Sequence, residues 1–355
     1  MNSFYNTIKN IQIEHSSMCN AACPQCMREW WNGDYSRINQ TYIPTEFYET
    51  RIPQHVYDSL DKINFCGTVG DPCTSPNFID VCKIIKQKNP KISLTIATNG
   101  GMKSPEWWAK LASTLNPIDV VTFGIDGLAD TNHIYRVNVR WNKLMDNAQA
   151  FINAGGRAEW QFITFKHNEH QIKLAETLST SMGFKKFFTI HNNRFVVEEL
   201  FNKTSVGGDG KTLLPPTEEK EISTLLLRKN TMPTDPKEWM DIAGKQCIKC
   251  QAQDNNEAYI DAETHLFPCC YLAGAKFTLD PTDQYDGYYN HWTKFGGDKI
   301  KLDRNSWDDV IQGEYFKELS KTWNQKFGEG RLLVCSGVCS SSEVQFSIYK
   351  NKKNE

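Results

Sequence analysis

Cys19, Cys23 and Cys26 stand within eight residues, directly after the apolar-alternating run Ile11-Gln12-Ile13-Glu14. Thiolates are the usual protein ligands of iron–sulfur clusters, and a cubane cluster normally takes four. Three leave one iron without a protein ligand. An open coordination position is where a small molecule binds at a catalytic metal site. Structural zinc is the competing reading, and it would need a fourth ligand, for which His15 is the near candidate. A second group gathers late in the chain: Cys247, Cys250, Cys269, Cys270, Cys335 and Cys339. In a reducing compartment such clustering points to metal or catalysis before disulfides. Cys66, Cys73 and Cys82 read as structural, Cys82 as a small hydrophobe on the inner face of a helix.

The elements around the first group alternate. Ile11–Glu14 is the first strand. Ile63 to Cys66 reads as a buried second strand running into the turn Gly67-Thr68-Val69-Gly70-Asp71-Pro72. A helix follows with Phe78, Val81, Cys82 and Ile85 inward, stopped by Asn89-Pro90. Ile92 to Ala97 is a third strand ending in Thr98-Asn99-Gly100, and Ser104-Pro105 caps the next helix. Val120 to Phe123 is the fourth strand, ending in Gly124-Ile125-Asp126-Gly127. A helix from Trp141 to Ala154 stops at Gly155, and strands at Ala158–Phe165 and Phe187–His191 flank a helix ended by Gly183.

Six strands alternating with helices imply a parallel sheet with right-handed crossovers. In such folds ligands bind at the C-terminal ends of the strands, so the polar and glycine turns converge on one rim. His167-Asn168-Glu169-His170 has the look of a metal motif but reads as the cap and first turn of a helix. Arg28 to Ile52 reads as loop plus part of a helix, with the Trp30-Trp31 pair either covering the site or packing.

The rhythm breaks after the sixth strand. Residues 1–202 form the barrel unit, 203–245 a linker with a helix at Glu218–Arg228 and a loop at Pro233–Pro236, and 246–355 a cysteine-rich unit. This last part reads as strand- and turn-rich, with aromatics Tyr285, Tyr288, Tyr289 and Trp292 and one helix from Trp307 to Trp323. Hydrophobic residues make up 39% and charged residues 23%, a globular composition. A net charge of −2 gives no single-sign field for nucleic acid or an anionic membrane. No apolar run approaches a membrane span, and the expected location is the cytoplasm.

At this point the chain resembles the radical SAM superfamily, through Cys-x3-Cys-x2-Cys after the first strand of a partial (β/α) barrel. The resemblance implies a [4Fe–4S] cluster on Cys19, Cys23 and Cys26, with S-adenosylmethionine chelating the unique iron. Reduction would cleave the sulfonium to a 5′-deoxyadenosyl radical that abstracts hydrogen from substrate. The cofactors supply that chemistry and the protein supplies orientation. Gly67 to Pro72 resembles the family's Gly-Gly-Glu-Pro loop, which contacts the cofactor's amino group, with Asp71 where Glu is common. Glycines let backbone carbonyls approach an ammonium closely. Thr98-Asn99-Gly100 resembles the family's Thr-Asn-Gly. Gly124-Ile125-Asp126-Gly127 with His133-Ile134-Tyr135-Arg136 resembles Ser-x-Asp-Gly…His-x-x-Tyr-Arg, in which the Arg pairs with the cofactor carboxylate. An Arg fork suits a carboxylate. Gly124 replaces that Ser, which leaves Asp126 more a loop-shaping residue than a ligand. Gln161 and Ile163 are candidates for adenine contact or simple barrel lining.

Cys250 to Cys269 resembles the first half of the SPASM/Twitch auxiliary-cluster domain, with Thr264 where the family has Gly. The resemblance implies one auxiliary [4Fe–4S] cluster on Cys250, Cys269, Cys335 and Cys339, with Cys247 and Cys270 in reserve. The fold expected is therefore α/β, a partial (β/α)6 TIM-like barrel with a small cysteine-rich iron–sulfur domain. The function implied is hydrogen abstraction from a C–H bond for oxidation, epimerisation or cross-linking. The auxiliary cluster would accept an electron, anchor substrate or stabilise the fold. Substrates in view are a peptide side chain or a small sugar or polyol, with flavodoxin or ferredoxin as electron donor. A reading of another class is a non-catalytic iron–sulfur carrier or a zinc-stabilised binding module.

Overall fold

The computed structural model describes residues 7–190, 192, 194–195, 198, 203–217, 244–245, 247–279 and 287–339. The expected helix at Glu218–Arg228 and loop at Pro233–Pro236 lie outside them.

Strands β1 (Asn10–Ile13), β2 (Lys62–Phe65), β3 (Ser93–Thr98), β4 (Val120–Gly124), β5 (Ala158–Ile163) and β6 (Lys186–Ile190) pair in parallel, each with its sequence neighbour. Their period-2 alternation decides which face meets the helices. Ile11, Ile13, Ile63, Phe65, Leu94, Ile96, Val121, Phe123, Trp160 and Phe162 are buried on one face. On the other face Gln12, Asn64 and Thr95 lie side by side in register. There the Thr95 hydroxyl donates to Asn64 Oδ1 at 2.9 Å.

Seven helices precede or cross between these strands: α1 (Thr45–Thr50), α2 (Gln54–Ser59), α3 (Phe78–Lys88), α4 (Pro105–Thr114), α5 (Asn132–Tyr135), α6 (Trp141–Asn153) and α7 (Ile172–Met182). Pro105 occupies the first turn of α4, although the Ser104 side chain makes no cap bond. Gly183 ends α7 in the left-handed region with φ +94°, as expected of a glycine there. Trp108 locks α4 to β4 and α6, 5.1 Å from the Phe123 ring and 6.3 Å from Phe151.

The late cysteine region departs from expectation in two ways. First, it is mainly helical: α8 (Gln251–Asp254), α9 (Cys270–Thr278), α10 (Tyr288–Phe295), α11 (Trp307–Ile311), α12 (Glu314–Thr322) and α13 (Leu333–Cys339). The aromatics Tyr288 and Trp292 are one helical turn apart, and they stack with centroids 6.4 Å apart. Trp292 also stacks on Phe267, at 5.6 Å. The stretch expected as one helix from Trp307 is two, broken before Gly313. Second, β7 (Glu257–Ile260) pairs in parallel with β1, and β8 (Leu266–Phe267) turns back antiparallel to β7. The sheet therefore has eight strands in the order β6-β5-β4-β3-β2-β1-β7-β8. Among the described residues no helix is long and apolar enough to cross a membrane.

The β7–β8 turn shows how Thr264 stands in for glycine. Thr264 adopts φ +69°. The Asp261 carboxylate holds the turn by accepting the amides of Glu263 at 3.0 Å and His265 at 2.9 Å. Asp261 also binds the His265 ring at 2.9 Å and the Lys276 ammonium at 2.6 Å. A β-branched residue in the left-handed region carries about 1–2 kcal/mol of steric strain. Glycine's greater unfolded-chain entropy offsets roughly half of that. Thr264→Gly is expected to stabilise the protein by up to about 1 kcal/mol, seen as a higher denaturant midpoint at unchanged slope.

Candidate active site

Cys19, Cys23 and Cys26 sit on the loop that leaves β1. The Cys26 amide donates to the Cys23 carbonyl at 2.9 Å, folding the last two thiols into one turn. Donors point at the sulfurs. Cys19 Sγ accepts from the Ala21 amide at 3.4 Å and faces Asn99 Nδ2 at 3.7 Å. Cys23 Sγ faces Arg136 Nη1 at 3.9 Å. Burial pushes the Cys23 thiol up to about 11, against the pull of Arg136. Such donors suit ligated, anionic sulfur.

Zinc and an iron–sulfur cluster place their ligands differently. Among the described residues, three His, Cys, Asp or Glu ligand atoms come within 4.8 Å of one another only at Asp261, Glu263 and His265. Sulfurs around a single zinc, each about 2.3 Å from it, would lie about 3.8 Å apart. His15 is not a fourth ligand. Its ring nitrogens are taken by the Tyr48 hydroxyl at 2.9 Å, Ser75 Oγ at 2.8 Å and Asn77 Oδ1 at 3.0 Å. Burial lowers its pKa to about 4. The acidic trio at Asp261 is likewise engaged, since Lys276 binds both of its carboxylates.

The rim loops interlock through buried carboxylates. Asp71 accepts from the Cys73 amide (2.9 Å), the Thr98 hydroxyl (3.0 Å), the Asn99 amide (2.8 Å) and Asn99 Nδ2 (2.9 Å). Pro72 begins the short turn that Asp71 caps. Gly70 lies against Ser16, where a Cβ would come within 1.8 Å of the carbonyl oxygen, so no other residue fits. Gly67 is folded against the Gly70 carbonyl. On the far side Asp126 accepts from Arg136 Nε at 2.5 Å and the Ile163 amide at 2.6 Å. Gly124 now has a reason. A Cβ there would meet Arg136 Nη2 at 2.3 Å, so the missing side chain makes room for the guanidinium. Gln161 lies on the same sheet face as Ile163, half-buried.

Several contributors were not among the residues picked from the sequence for the site. Glu14, buried at the end of β1, accepts the amides of Val69 at 2.7 Å and Gly70 at 3.0 Å. The Tyr259 hydroxyl of β7 donates to its other oxygen at 3.1 Å. Arg28 clamps the carbonyls of Ser17 at 2.8 Å and Val69 at 3.3 Å. Gln25, inside the cysteine motif, is held by Glu198 at 2.8 Å and by Asn192. Asn168 precedes the short turn Glu169–Gln171 but makes no side-chain cap bond to it; instead it accepts from the Phe165 amide at 2.7 Å and donates to the Asp126 carbonyl at 2.9 Å. A charged residue closing an apolar strand was the one legible signal, at Glu14.

The late thiols divide. Cys250 and Cys269 stand at the starts of α8 and α9, and Cys335 and Cys339 are one turn apart on α13. The Lys249 amide donates to the Cys339 carbonyl at 2.8 Å, joining the first and last of these segments. Burial raises the Cys269 thiol, with Cys270 and then Cys250 and Cys335 adding to it, and burial likewise raises Cys250 to about 11, with Cys339 adding. Cys270 is pushed up to about 12 by burial and then by Glu257, and it neighbours Cys66 and Glu14. Cys247 is exposed.

Residues 13–180 match the family model described as the Radical SAM superfamily. The family implies a [4Fe–4S] cluster together with S-adenosylmethionine, and the thiol loop fits one. Over 127 residues the chain is 25% identical to the tungsten-containing aldehyde ferredoxin oxidoreductase cofactor-modifying protein of Pyrococcus furiosus. That alignment covers 36% of this chain and only 33% of the relative's length. The fold is similar to that of Streptococcus suis SuiB, with TM-score 0.55 and 14% identity over 96% of this chain and 76% of that one. It is also similar to anSMEcpe with bound AdoMet, with TM-score 0.52 and 13% identity over 96% and 93% of the two chains.

Two predictions test this geometry. Burial raises the Glu14 pKa from 4.5 to about 7; Asp261 adds to that, while the Val69 and Gly70 amides and Lys276 oppose it. Tyr259, Cys66 and Cys270 also face it. A carboxyl with a raised folded pKa contributes stability that is complete below the unfolded value and is lost as pH rises through the folded one. Between pH 4.5 and 7 the protein is expected to lose stability that Glu14→Gln keeps, of order 3 kcal/mol at most, measured by denaturant unfolding across that range. Gly124→Ser is expected to destabilise by about 1–3 kcal/mol through overpacking against Arg136, with lower iron loading per chain.

Proposed function

We propose that this protein is a radical SAM enzyme that abstracts hydrogen from a C–H bond of a peptide side chain, leading to oxidation or epimerisation. The observation that carries the reading is the convergence of the thiol loop, the Asp71-centred loops and Arg136 on one rim. When bound, the cluster and S-adenosylmethionine supply reductive sulfonium cleavage and hydrogen abstraction. The chain's own residues do the holding. Cys19, Cys23 and Cys26 ligate the cluster. Gly67, Gly70, Asp71, Pro72, Thr98, Asn99, Gly124, Asp126, Arg136, Gln161 and Ile163 surround the cofactor. Asp71 and Asp126 act by fixing the loops, since their oxygens are engaged by their own chain. Cys250, Cys269, Cys335 and Cys339 would hold one auxiliary [4Fe–4S] cluster in the unit 246–355, and such a cluster would supply an electron acceptor. Cys247 and Cys270 stay outside it, one exposed and the other turned toward Cys66.

Support for a peptide comes from SuiB, which is also described bound to the precursor peptide SuiA, with TM-score 0.51 to this chain. anSMEcpe is likewise described with a bound peptide, with TM-score 0.52. A flavodoxin- or ferredoxin-type donor would reduce the first cluster.

The test is anaerobic reconstitution followed by reductant and S-adenosylmethionine. Release of 5′-deoxyadenosine is expected, and it should vanish in the Cys19/Cys23/Cys26→Ala variant. That variant should still hold roughly four irons, one cubane's worth. Zinc without sulfide and no cofactor cleavage would sink the reading; a variant without iron would remove the auxiliary cluster alone.

A further inference from the structure

The structure assigns to Glu14 a positioning role for the amino group of S-adenosylmethionine, exerted through the Gly67–Asp71 loop and tied to the C-terminal unit by Tyr259. This rests on the radical SAM reading above.

Among the described residues no peptide is cis. In a trans peptide the N–H and the preceding C=O point in opposite directions. One oxygen of Glu14 draws in the N–H groups of both Val69 and Gly70, at 2.7 and 3.0 Å. The carbonyls of Thr68 and Val69 are thereby turned to the opposite side of the loop. That side already receives a cation: Arg28 Nη1 reaches the Val69 carbonyl at 3.3 Å and the Ser17 carbonyl at 2.8 Å. Arg28 takes up the Val69 carbonyl, so Glu14 acts on the cofactor site through the shape of the loop that it holds and not through that carbonyl. Removing Glu14 would leave two amides without their acceptor and free the loop to rotate.

The second oxygen of Glu14 faces the other way. The buried Tyr259 hydroxyl lies 3.1 Å from it and 2.7 Å from Thr68 Oγ1. Tyr259 sits opposite Gln12 in the β1–β7 register. Two residues further, Asp261 holds Lys276 on α9, the helix that Cys269 begins. A continuous set of contacts thus runs from Cys269 to the cofactor loop.

The test uses Glu14→Ala, Glu14→Gln and Tyr259→Phe in the reconstituted full chain, beside the wild type. Glu14→Ala is expected to raise KM for S-adenosylmethionine about tenfold with kcat nearly unchanged, the signature of lost binding. Glu14→Gln keeps one acceptor and should rise about threefold, as should Tyr259→Phe. Hydrogen exchange in the protein before cofactor addition should quicken about tenfold at the Val69 and Gly70 amides in Glu14→Ala and less in the other two. If Glu14→Ala does not fold, the other two variants decide. Unchanged KM and unchanged exchange in Glu14→Gln and Tyr259→Phe would overturn the assignment, as would a fall in kcat at constant KM. A wild type that carries iron but cleaves no cofactor fails the underlying reading instead, and the exchange data identify which step failed.

Discussion

Buried carboxylates accepting backbone amides are what the rim depends on. Glu14, Asp71, Asp126 and Asp261 are all almost fully buried; three of them stand within two residues of a strand's C-terminal end and Asp71 closes the loop that follows β2. An ionised carboxylate is expensive to bury unless its lone pairs are filled. The loop bonds meet part of that need, and burial still raises the carboxyls of Glu14, Asp71 and Asp126. Each of the four carboxylates accepts at least one main-chain N–H: Glu14 and Asp71 from a neighbouring loop, Asp126 from the end of β5 and Asp261 from its own turn. The outward faces of the strands are held by apolar packing, which is non-directional and tolerates substitution of similar volume. The rim is held by directed bonds, which fix loop shape to a fraction of an ångström. A catalytic surface built from glycine turns needs that second kind of restraint, because glycine itself provides none.

Much of this was legible in the residues. The period-2 runs and the helical stripes placed six strands and their crossovers correctly, because both faces of each element carry their own chemistry. The thiol motif announced itself by spacing. What was not legible depends on long-range pairing. Nothing in Glu257–Ile260 states that it will sit beside β1, since a short apolar run fits any open sheet edge. Apart from the stretch from Trp307 to Trp323, the helices of the late region were missed because its aromatics read as strand formers until their one-turn spacing is set against real neighbours. Gly124 looked like a defect in a pattern. In the fold it is the space into which Arg136 reaches. His15 looked like a spare ligand, and three partners already hold it.

The two thiol groups belong to one mechanical body. The short helical turn after Cys26 packs on α9, and a Cβ on Gly274 would come within 2.9 Å of Met27 Sδ. Trp31 donates its indole N–H to the Phe277 carbonyl at 2.5 Å, and Arg37 bonds the Leu279 carbonyl at 2.9 Å while lying 4.3 Å over the Trp31 ring. The polar loop that follows the first cysteines is therefore a bracket between the barrel and the helix that begins at Cys269.

The pairing of β1 with β7 also bears on how the chain is made. Asn10 finds its partner at Glu257, so the first strand emerges from the ribosome long before the strand that covers its edge. At ordinary synthesis rates that interval is on the order of tens of seconds. Throughout it β1 presents an unpaired edge, and Glu14 and the thiol loop lie beside it without Tyr259. An open edge invites pairing with other chains. The nascent barrel is thus a waiting state whose completion depends on late-arriving sequence. A chain halted between its sixth and seventh strands would hold all three leading cysteines yet lack the strand that seals their sheet.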